Sequence, residues 1–235
     1  MKNGLILLPG EDKQLNILVN NFNVVNKKVL VAGSASEEIA KKIYLLSNTP
    51  VEVIVEDYDS LINSRVLLDD SENVNVKMMD FETTDYSSEQ FDVIYAQASL
   101  SNKRRKGIIK EFKRILKKDG VICIGEIIKL QKQCPQFITD IFDSANLDPQ
   151  TEEEIIKFYT ERNFNLAIKQ NLNSTLKIYY STNLRLLNEH VDELSGSEKS
   201  YYKKLINQIS HESKVYLKQG GDKFMGFAAF LFKRV

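Results

Sequence analysis

The chain has 235 residues, of which 43% are hydrophobic and 27% are charged, so it is long enough to bury one sizeable core. Its 32 Lys and Arg balance its 32 Asp and Glu, a charge balance that argues against a sequence-independent nucleic-acid binder. Two cysteines and two histidines are too few for a disulfide framework or a typical transition-metal site, so we expect no metal.

The opening residues resemble neither a signal peptide nor a membrane span. The apolar run Leu5 to Leu8 is too short for either and is followed by Pro9 and Gly10. We therefore expect a cytoplasmic protein without a membrane span, either a monomer or a homodimer. Spaced apolar residues from Leu15 to Phe22 predict a helix within an N-terminal arm, residues 1–26.

The first strand is predicted at about 28–32, because its apolar residues do not alternate with polar ones. Gly33 follows it and permits a tight turn. Ser34 and Glu37 have the spacing of a capping box, which predicts that a helix starts there. Such a strand–turn–helix directs free backbone N–H groups towards a ligand at the carboxyl end of a sheet.

The turn itself restricts the ligand. A dinucleotide fingerprint requires glycines where this chain has Ala35 and Glu38, and acids in the first helical turn repel a pyrophosphate. An NAD-type oxidoreductase is therefore disfavoured. S-adenosylmethionine has no phosphate and carries a positive sulfonium, so it suits the turn better. A plain strand–helix connection without a ligand is the alternative.

Acidic residues follow the next two predicted strands. Residues 51–55 lead into Glu56 and Asp57, where a carboxylate can accept hydrogen bonds from ribose hydroxyls. Residues 74–79 lead into Asp80 and Phe81, which offer an acceptor and an aromatic face to an adenine. Solvated acids at strand ends are the alternative.

The pattern continues with a strand at 91–96, an amphipathic helix that Asp119 and Gly120 end, and a strand at 121–126. Lys117 and Lys118 are predicted in the last turn of that helix. We interpret the basic run at 103–106 as a solvated helix start. Strands and helices that alternate in this way predict a doubly wound parallel sheet.

The second half is predicted to contain helices at 135–163, with a capped start after Pro149, and a strand at 164–168. Two more helices are predicted within 184–218. A final strand is predicted at 224–232.

At this point the chain resembles a known family. The run from Phe91-Asp92-Val93-Ile94 to Lys117-Lys118-Asp119-Gly120-Val121, with the acid-rich loop that precedes it, resembles the class I S-adenosylmethionine-dependent methyltransferases. Within them it is similar to the small-molecule branch that includes ubiquinone/menaquinone- and amine-methyltransferases. The resemblance covers residues 27–128 well. It implies a seven-stranded, mostly parallel, Rossmann-like sheet with an antiparallel last strand, in a single domain 1–235 with a helical cap inserted at 172–220.

The resemblance also implies roles for individual residues. S-adenosylmethionine would be the cofactor and a small molecule the methyl acceptor, with no nucleic-acid partner. Asp57, or less favourably Glu56, would bind the ribose, and Asp80 and Phe81 would bind the adenine. The methionine part would contact Gly33, Ser34, Ala35, Ala96 and Gln97.

Two sets of residues are candidates for the chemistry of the acceptor. Glu126, at the end of the fifth strand, is a candidate general base. Four tyrosines of the cap can face a cationic or polar substrate, although each could instead pack helices onto the sheet. They are Tyr179, Tyr180, Tyr201 and Tyr202.

The first motif departs from the family pattern. Val31 stands where an acid is usual, and Ala35 and Glu37 stand where glycines are usual. We therefore carry two hypotheses, a small-molecule methyltransferase and a non-catalytic or regulatory binding module with weak or no cofactor binding.

Overall fold

The computed structural model describes residues 8–68, 73–193, 195–196 and 203–235. Within these ranges seven strands form one sheet in the order β3-β2-β1-β4-β5-β7-β6. The strands are β1 Val29–Ala32, β2 Val51–Val55, β3 Val74–Met78, β4 Phe91–Gln97, β5 Leu116–Lys129, β6 Phe164–Asn171 and β7 Met225–Arg234.

Helices cover the sheet on both faces. They are α1 Glu11–Asn21, α2 Glu37–Ser47, α3 Tyr58–Leu68, α4 Arg105–Ile115, α5 Gln136–Ser144, α6 Glu152–Thr160, α7 Asn173–His190 and α8 Lys203–Lys218. One core cluster contains side chains of α1, α2, α5, α7 and α8, and the other contains side chains of α4 and α6. The strands lie between the two clusters, as the apolar runs predict.

The parallel part of the sheet is centred on β1, whose four residues are all buried. Its last residue, Ala32, lies beside Ile54 of β2 and Ala96 of β4. The carboxyl ends of β1, β2 and β4 therefore meet at one edge of the sheet. The predicted doubly wound sheet is confirmed.

The far end of the sheet is antiparallel. β7 pairs antiparallel with both β5 and β6, and α7 and α8 lie between β6 and β7 in the chain. The predicted antiparallel last strand and the helical insertion before it are confirmed. The division into an arm, residues 1–26, and a cap, residues 172–220, stays a prediction.

Three local predictions were wrong. Helix α4 ends at Ile115, and Lys117 and Lys118 lie in β5, because Leu116 already pairs with Phe91 across a local shift in register. Helix α2 has no capping box, since Ser36 is its N-cap and the buried Glu37 accepts a short hydrogen bond from Ser64 instead. Helix α7 begins at residue 173, well before the predicted 184.

The loop between β3 and β4 is fixed to α4 by Glu111. This carboxylate is 8% exposed and accepts hydrogen bonds from the backbone N and Oγ1 of Thr84, at 2.9 and 2.6 Å, and from Arg114 at 2.6 Å. Burial alone would raise the pKa of Glu111, but the hydrogen bonds from Arg114 and Thr84 outweigh it and lower the pKa to about 2. The loop that follows β3 is thereby held in place.

Acid should therefore weaken this attachment. A carboxyl whose pKa falls from 4.5 to about 2 on folding stabilises the fold fully above pH 4.5, and its contribution, about 3 kcal/mol, is lost as the pH falls towards 2. We expect the free energy of unfolding of the wild type to fall more steeply in this window than that of Glu111→Gln. Urea denaturation at a series of pH values measures this. An equal fall in the free energy of unfolding of both proteins between pH 4.5 and 2 would contradict it.

Candidate functional site

The turn after β1 passes very close to the loop after β4. The Gly33 amide donates to the Ile54 carbonyl at 3.0 Å, and Gly33 has a φ of 132°. A β-carbon on Gly33 would lie 2.8 Å from Cβ of Ser99, whose hydroxyl donates to the Ala32 carbonyl at 2.7 Å. Both the backbone conformation and the lack of space require glycine at this position.

Ala35 keeps the backbone shape that a glycine would give. Its φ is 60°, in the left-handed region that costs an L-residue about 1–2 kcal/mol. The hydroxyl of Ser34 donates to that of Ser60 at 2.8 Å and so joins the turn to α3. Ala35, which stands where the resembled family has a glycine, therefore adopts a backbone conformation that favours glycine.

A cavity of about 390 Å³ opens between this turn and the first two helices. This volume lies within the range of small-molecule sites, about 300–1,000 Å³. Asp12 of α1 and Lys42 of α2 form an ion pair of 2.6 Å across it. The lining residues are Leu8, Glu11, Asp12, Lys13, Asn16, Ala35, Glu38, Ile39, Lys42 and Gln97.

Gln97 fixes the start of α1 over the end of β4. Its Nε2 donates to the carbonyls of Pro9, at 2.9 Å, and Glu11, at 3.2 Å, while its Oε1 accepts from the Tyr95 hydroxyl at 2.8 Å. Complete burial raises the pKa of Tyr95 well above its usual range, so its hydroxyl remains a donor. The amide is therefore held in one orientation beside the cavity.

The two acids after β2 have different surroundings. Glu56 borders a second cavity, of about 200 Å³, and its Oε1 accepts from the Phe81 amide at 3.2 Å. Asp57 accepts from the amide and hydroxyl of Ser60, at 2.8 and 2.7 Å, and so caps the first turn of α3. Glu56 thus borders a cavity while Asp57 caps a helix, and the ribose-binding role of either acid stays a prediction.

Arg104 connects the acids at this end of the site. Its Nη1 donates to Glu56 at 2.9 Å, its Nε donates to Glu82 at 2.8 Å, and its Nη2 makes a short contact with Asp80. Hydrogen bonding to Glu82 raises the pKa of Arg104, so the side chain is always charged. Residues 103–106 lie at the start of α4 as predicted, and Lys103 and Lys106 are exposed, but the prediction of a solvated run was wrong for Arg105, which is buried.

Asp80 and Phe81 separate in the structure. Asp80 borders the smaller cavity and accepts from the Glu82 amide at 2.8 Å. Phe81 is 3% exposed and packs in the core against Phe112, with ring centroids 6.1 Å apart. Its ring is therefore turned away from the surface that an adenine could reach.

Glu126 and Ala96 project from the face of the sheet that packs against α4 and α6, opposite the larger cavity. Glu126 is fully buried and forms an ion pair of 2.6 Å with Arg105. Its carboxylate also accepts hydrogen bonds from the hydroxyls of Ser101, at 3.3 Å, and Tyr159, at 3.4 Å. Ala96 belongs to the same core cluster as α4, although its carbonyl accepts from Gln14 at 3.0 Å on α1. These contacts favour a structural role for Glu126 over that of a general base.

The tyrosines of the insertion contribute to helix packing where they are described. Tyr180 is 4% exposed and lies against Tyr216 of α8, with centroids 4.7 Å apart, and Tyr179 packs edge-on against Tyr180. Tyr201 and Tyr202 lie outside the described residues. A role of these four residues in substrate binding stays a prediction.

Sequence reasoning missed Arg104, Ser99 and the acids of α1. A signal for Arg104 was present, since a cation that follows β4 reaches the same sheet edge as acids that follow β2 and β3. Across the described ranges no group of His, Cys, Asp and Glu is arranged to hold a metal ion. None of the described helices combines the length and apolar character that crossing a bilayer demands.

Residues 34–124, which run from the turn after β1 into β5, match the family model of a methyltransferase domain. Over these 91 of its 235 residues the chain is similar to a methyltransferase domain. A comparison with functionally curated proteins finds no match. The resemblance stated from the sequence is thus confirmed at the level of the domain, which includes the turn, both acidic strand ends and Arg104.

Solved structures show that the fold is the one predicted. A provisionally assigned sarcosine dimethylglycine methyltransferase of Galdieria sulphuraria has a TM-score of 0.79 and 14% identity, over 95% of this chain and 84% of that one. The cyclopropane synthase MmaA2 of Mycobacterium tuberculosis has a TM-score of 0.77 and 12% identity, over 95% and 84%. Geranyl diphosphate C-methyltransferase of Streptomyces coelicolor A3(2) was solved with S-adenosyl-L-homocysteine. It has a TM-score of 0.68 and 11% identity, over 96% of this chain and 78% of that one.

The left-handed turn at Ala35 gives the first prediction at the site. Ala35→Gly should change the free energy of unfolding by between zero and a gain of about 1 kcal/mol, because relief of left-handed strain exceeds the greater freedom of an unfolded glycine. Ala40→Gly, in the buried interior of α2, is the control and should cost about 1 kcal/mol or more. Urea denaturation compares them, and an equal loss in both would contradict the expectation.

The buried ion pair gives the second prediction. Glu126→Gln should destabilise the fold by about 3–5 kcal/mol, because it leaves Arg105 buried without a counter-charge. Glu189→Gln removes the exposed partner of Arg185 and should cost less than about 1 kcal/mol. Chemical denaturation of both variants tests the structural role of Glu126, which a loss no larger than that of the control would refute.

Proposed function

We propose that this protein transfers a methyl group from S-adenosylmethionine to a small-molecule acceptor. The observation that carries the proposal is that two cavities lie at the carboxyl ends of the parallel strands. One cavity is bordered by Ala35 and Gln97, and the other by Glu56 and Asp80. A cofactor with an amino-acid end and a nucleoside end would contact both.

The residues of this edge fit such a cofactor. The turn has a left-handed backbone at Ala35, and Gly33 lets it pass close to Ser99 in the loop after β4. Glu56 would accept hydrogen bonds from the ribose hydroxyls and Asp80 from the exocyclic amine of adenine, while Gln97 would lie at the methionine end. The lining of the larger cavity carries the acids Glu11, Asp12 and Glu38 against two lysines, Lys13 and Lys42. This small excess of negative charge favours a cationic ligand over a phosphorylated one.

When bound, S-adenosylmethionine supplies a methyl group activated by its positive sulfur. The protein then has to orient the acceptor and exclude water, which need no strong acid or base. The start of α1, tied down by Gln97, covers the larger cavity and would serve both purposes. A general base is required only if the acceptor is protonated at neutral pH.

The finer features belong to this proposal. The acceptor is a small molecule rather than a nucleic acid, in keeping with the balanced charge of the chain. The location would be the cytoplasm and the protein a monomer or homodimer. A non-catalytic module on the same fold is less favoured, because the methyltransferase domain model covers the turn and both acidic strand ends.

Adjacent acids provide a matched pair of variants. We expect Glu56→Gln to weaken binding of S-adenosylhomocysteine by roughly ten- to a hundredfold, because a hydrogen bond to a charged acceptor contributes about 1.5–3 kcal/mol. Asp57→Asn keeps an acceptor for the Ser60 amide at the N-cap of α3, so it should leave both the stability and the affinity nearly unchanged. Isothermal titration calorimetry measures both affinities.

The same titration tests the function as a whole. The wild type should bind both S-adenosylmethionine and S-adenosylhomocysteine, and turnover of a bound acceptor should release the latter. Absence of heat with both compounds would overturn the proposal and favour the non-catalytic module. A larger effect of Asp57→Asn than of Glu56→Gln would overturn the assignment of Glu56.

A further inference from the structure

The guanidinium of Arg104 has a carboxylate at each of its three nitrogen atoms. Glu82 meets Nε, Glu56 meets Nη1 and Asp80 meets Nη2. All three contacts lie along the edge of the planar group, because its N–H bonds point outward in that plane. The plane is therefore fixed in orientation, while 41% of the side chain remains exposed.

Arg104 also borders the smaller cavity. The 200 Å³ space is lined by Glu56, Met78, Met79, Asp80 and Arg104. Met78 is 51% exposed, so an apolar, polarizable side chain lies beside the guanidinium. The cavity thus combines a flat cation, two thioethers and two carboxylate acceptors.

An adenine at this end of the site needs a flat surface, and Phe81 does not provide one because its ring is buried against Phe112. We propose that Arg104 is the surface on which the adenine of an adenosyl ligand stacks, a specificity-determining role that rests on the proposed function. Asp80 then accepts from the exocyclic amine at the edge of the ring. Glu56 remains for the ribose.

The physical basis is the attraction between a guanidinium and an aromatic face, which strengthens when the pair is shielded from water. The carboxylates hold the plane in place, so little side-chain freedom is lost on stacking. A lysine would keep the charge but would offer no plane. The acids around Arg104 also repel phosphates, so the site selects adenosyl compounds over adenine nucleotides.

The test uses the full chain and two probes, adenosine and S-adenosylhomocysteine, in calorimetric titrations. Arg104→Lys should weaken the binding of both probes by the same factor, about tenfold, because both present the same ring. Arg114→Lys is the matched control, since Arg114 lies on the helix that Arg104 caps, is similarly exposed and is also paired with a carboxylate. It should leave both affinities unchanged.

A second variant separates stacking from the charge of Arg104 itself. Glu82 holds Nε but does not border the cavity. Glu82→Gln should weaken both probes by a smaller factor than Arg104→Lys, because the plane loses one of its anchors. ATP should bind neither the wild type nor the variants measurably better than adenosine.

The outcomes distinguish the inference from the function on which it rests. If the wild type binds S-adenosylhomocysteine and Arg104→Lys binds it equally well, the stacking role alone is overturned. If Arg104→Lys or Glu82→Gln binds S-adenosylhomocysteine more tightly than the wild type does, Arg104 competes with the ligand for Glu56 and Asp80. This result also overturns the stacking role. If the wild type binds neither probe, the inference and the proposed function fail together.

Discussion

The site depends on the parallel pairing of β1 with both of its neighbours. Ala32 lies level with Ile54 and Ala96, so the next residues of each strand emerge at the same height. Gly33 reaches the Ile54 carbonyl, Glu56 follows closely on β2, and Gln97 ends β4. A shift of one residue in either register would reverse these side chains relative to the sheet and disperse the site.

The strands could be predicted from the sequence because both of their faces are buried, and a continuous apolar run such as Val29–Ala32 has few other stable placements. The acids that follow the strands could also be placed at one edge. The sequence could not decide between Glu56 and Asp57, because that depends on whether Ser60 or a cavity lies beside each carboxylate. Local spacing contains no such information.

The errors share a physical origin. The Ser34–Glu37 spacing fits a capping box, but Ser64 of another helix binds Glu37 and Ser36 becomes the N-cap. The lysines after Ile115 suit a helix end, but pairing of Leu116 with Phe91 draws them into β5. Arg104 and Arg105 looked like solvated charges until acids from distant strands were placed beside them. In each case a long-range contact outweighed a local preference.

The turn at Ala35 has a consequence for binding. A β-carbon removes many of the conformations that a glycine can sample, so this loop keeps its left-handed bend through its surroundings rather than through intrinsic freedom. A binding loop that is already stiff loses little entropy when a ligand arrives. The turn at Ala35 can therefore act as a preorganised binding loop, which has its final conformation before the ligand binds.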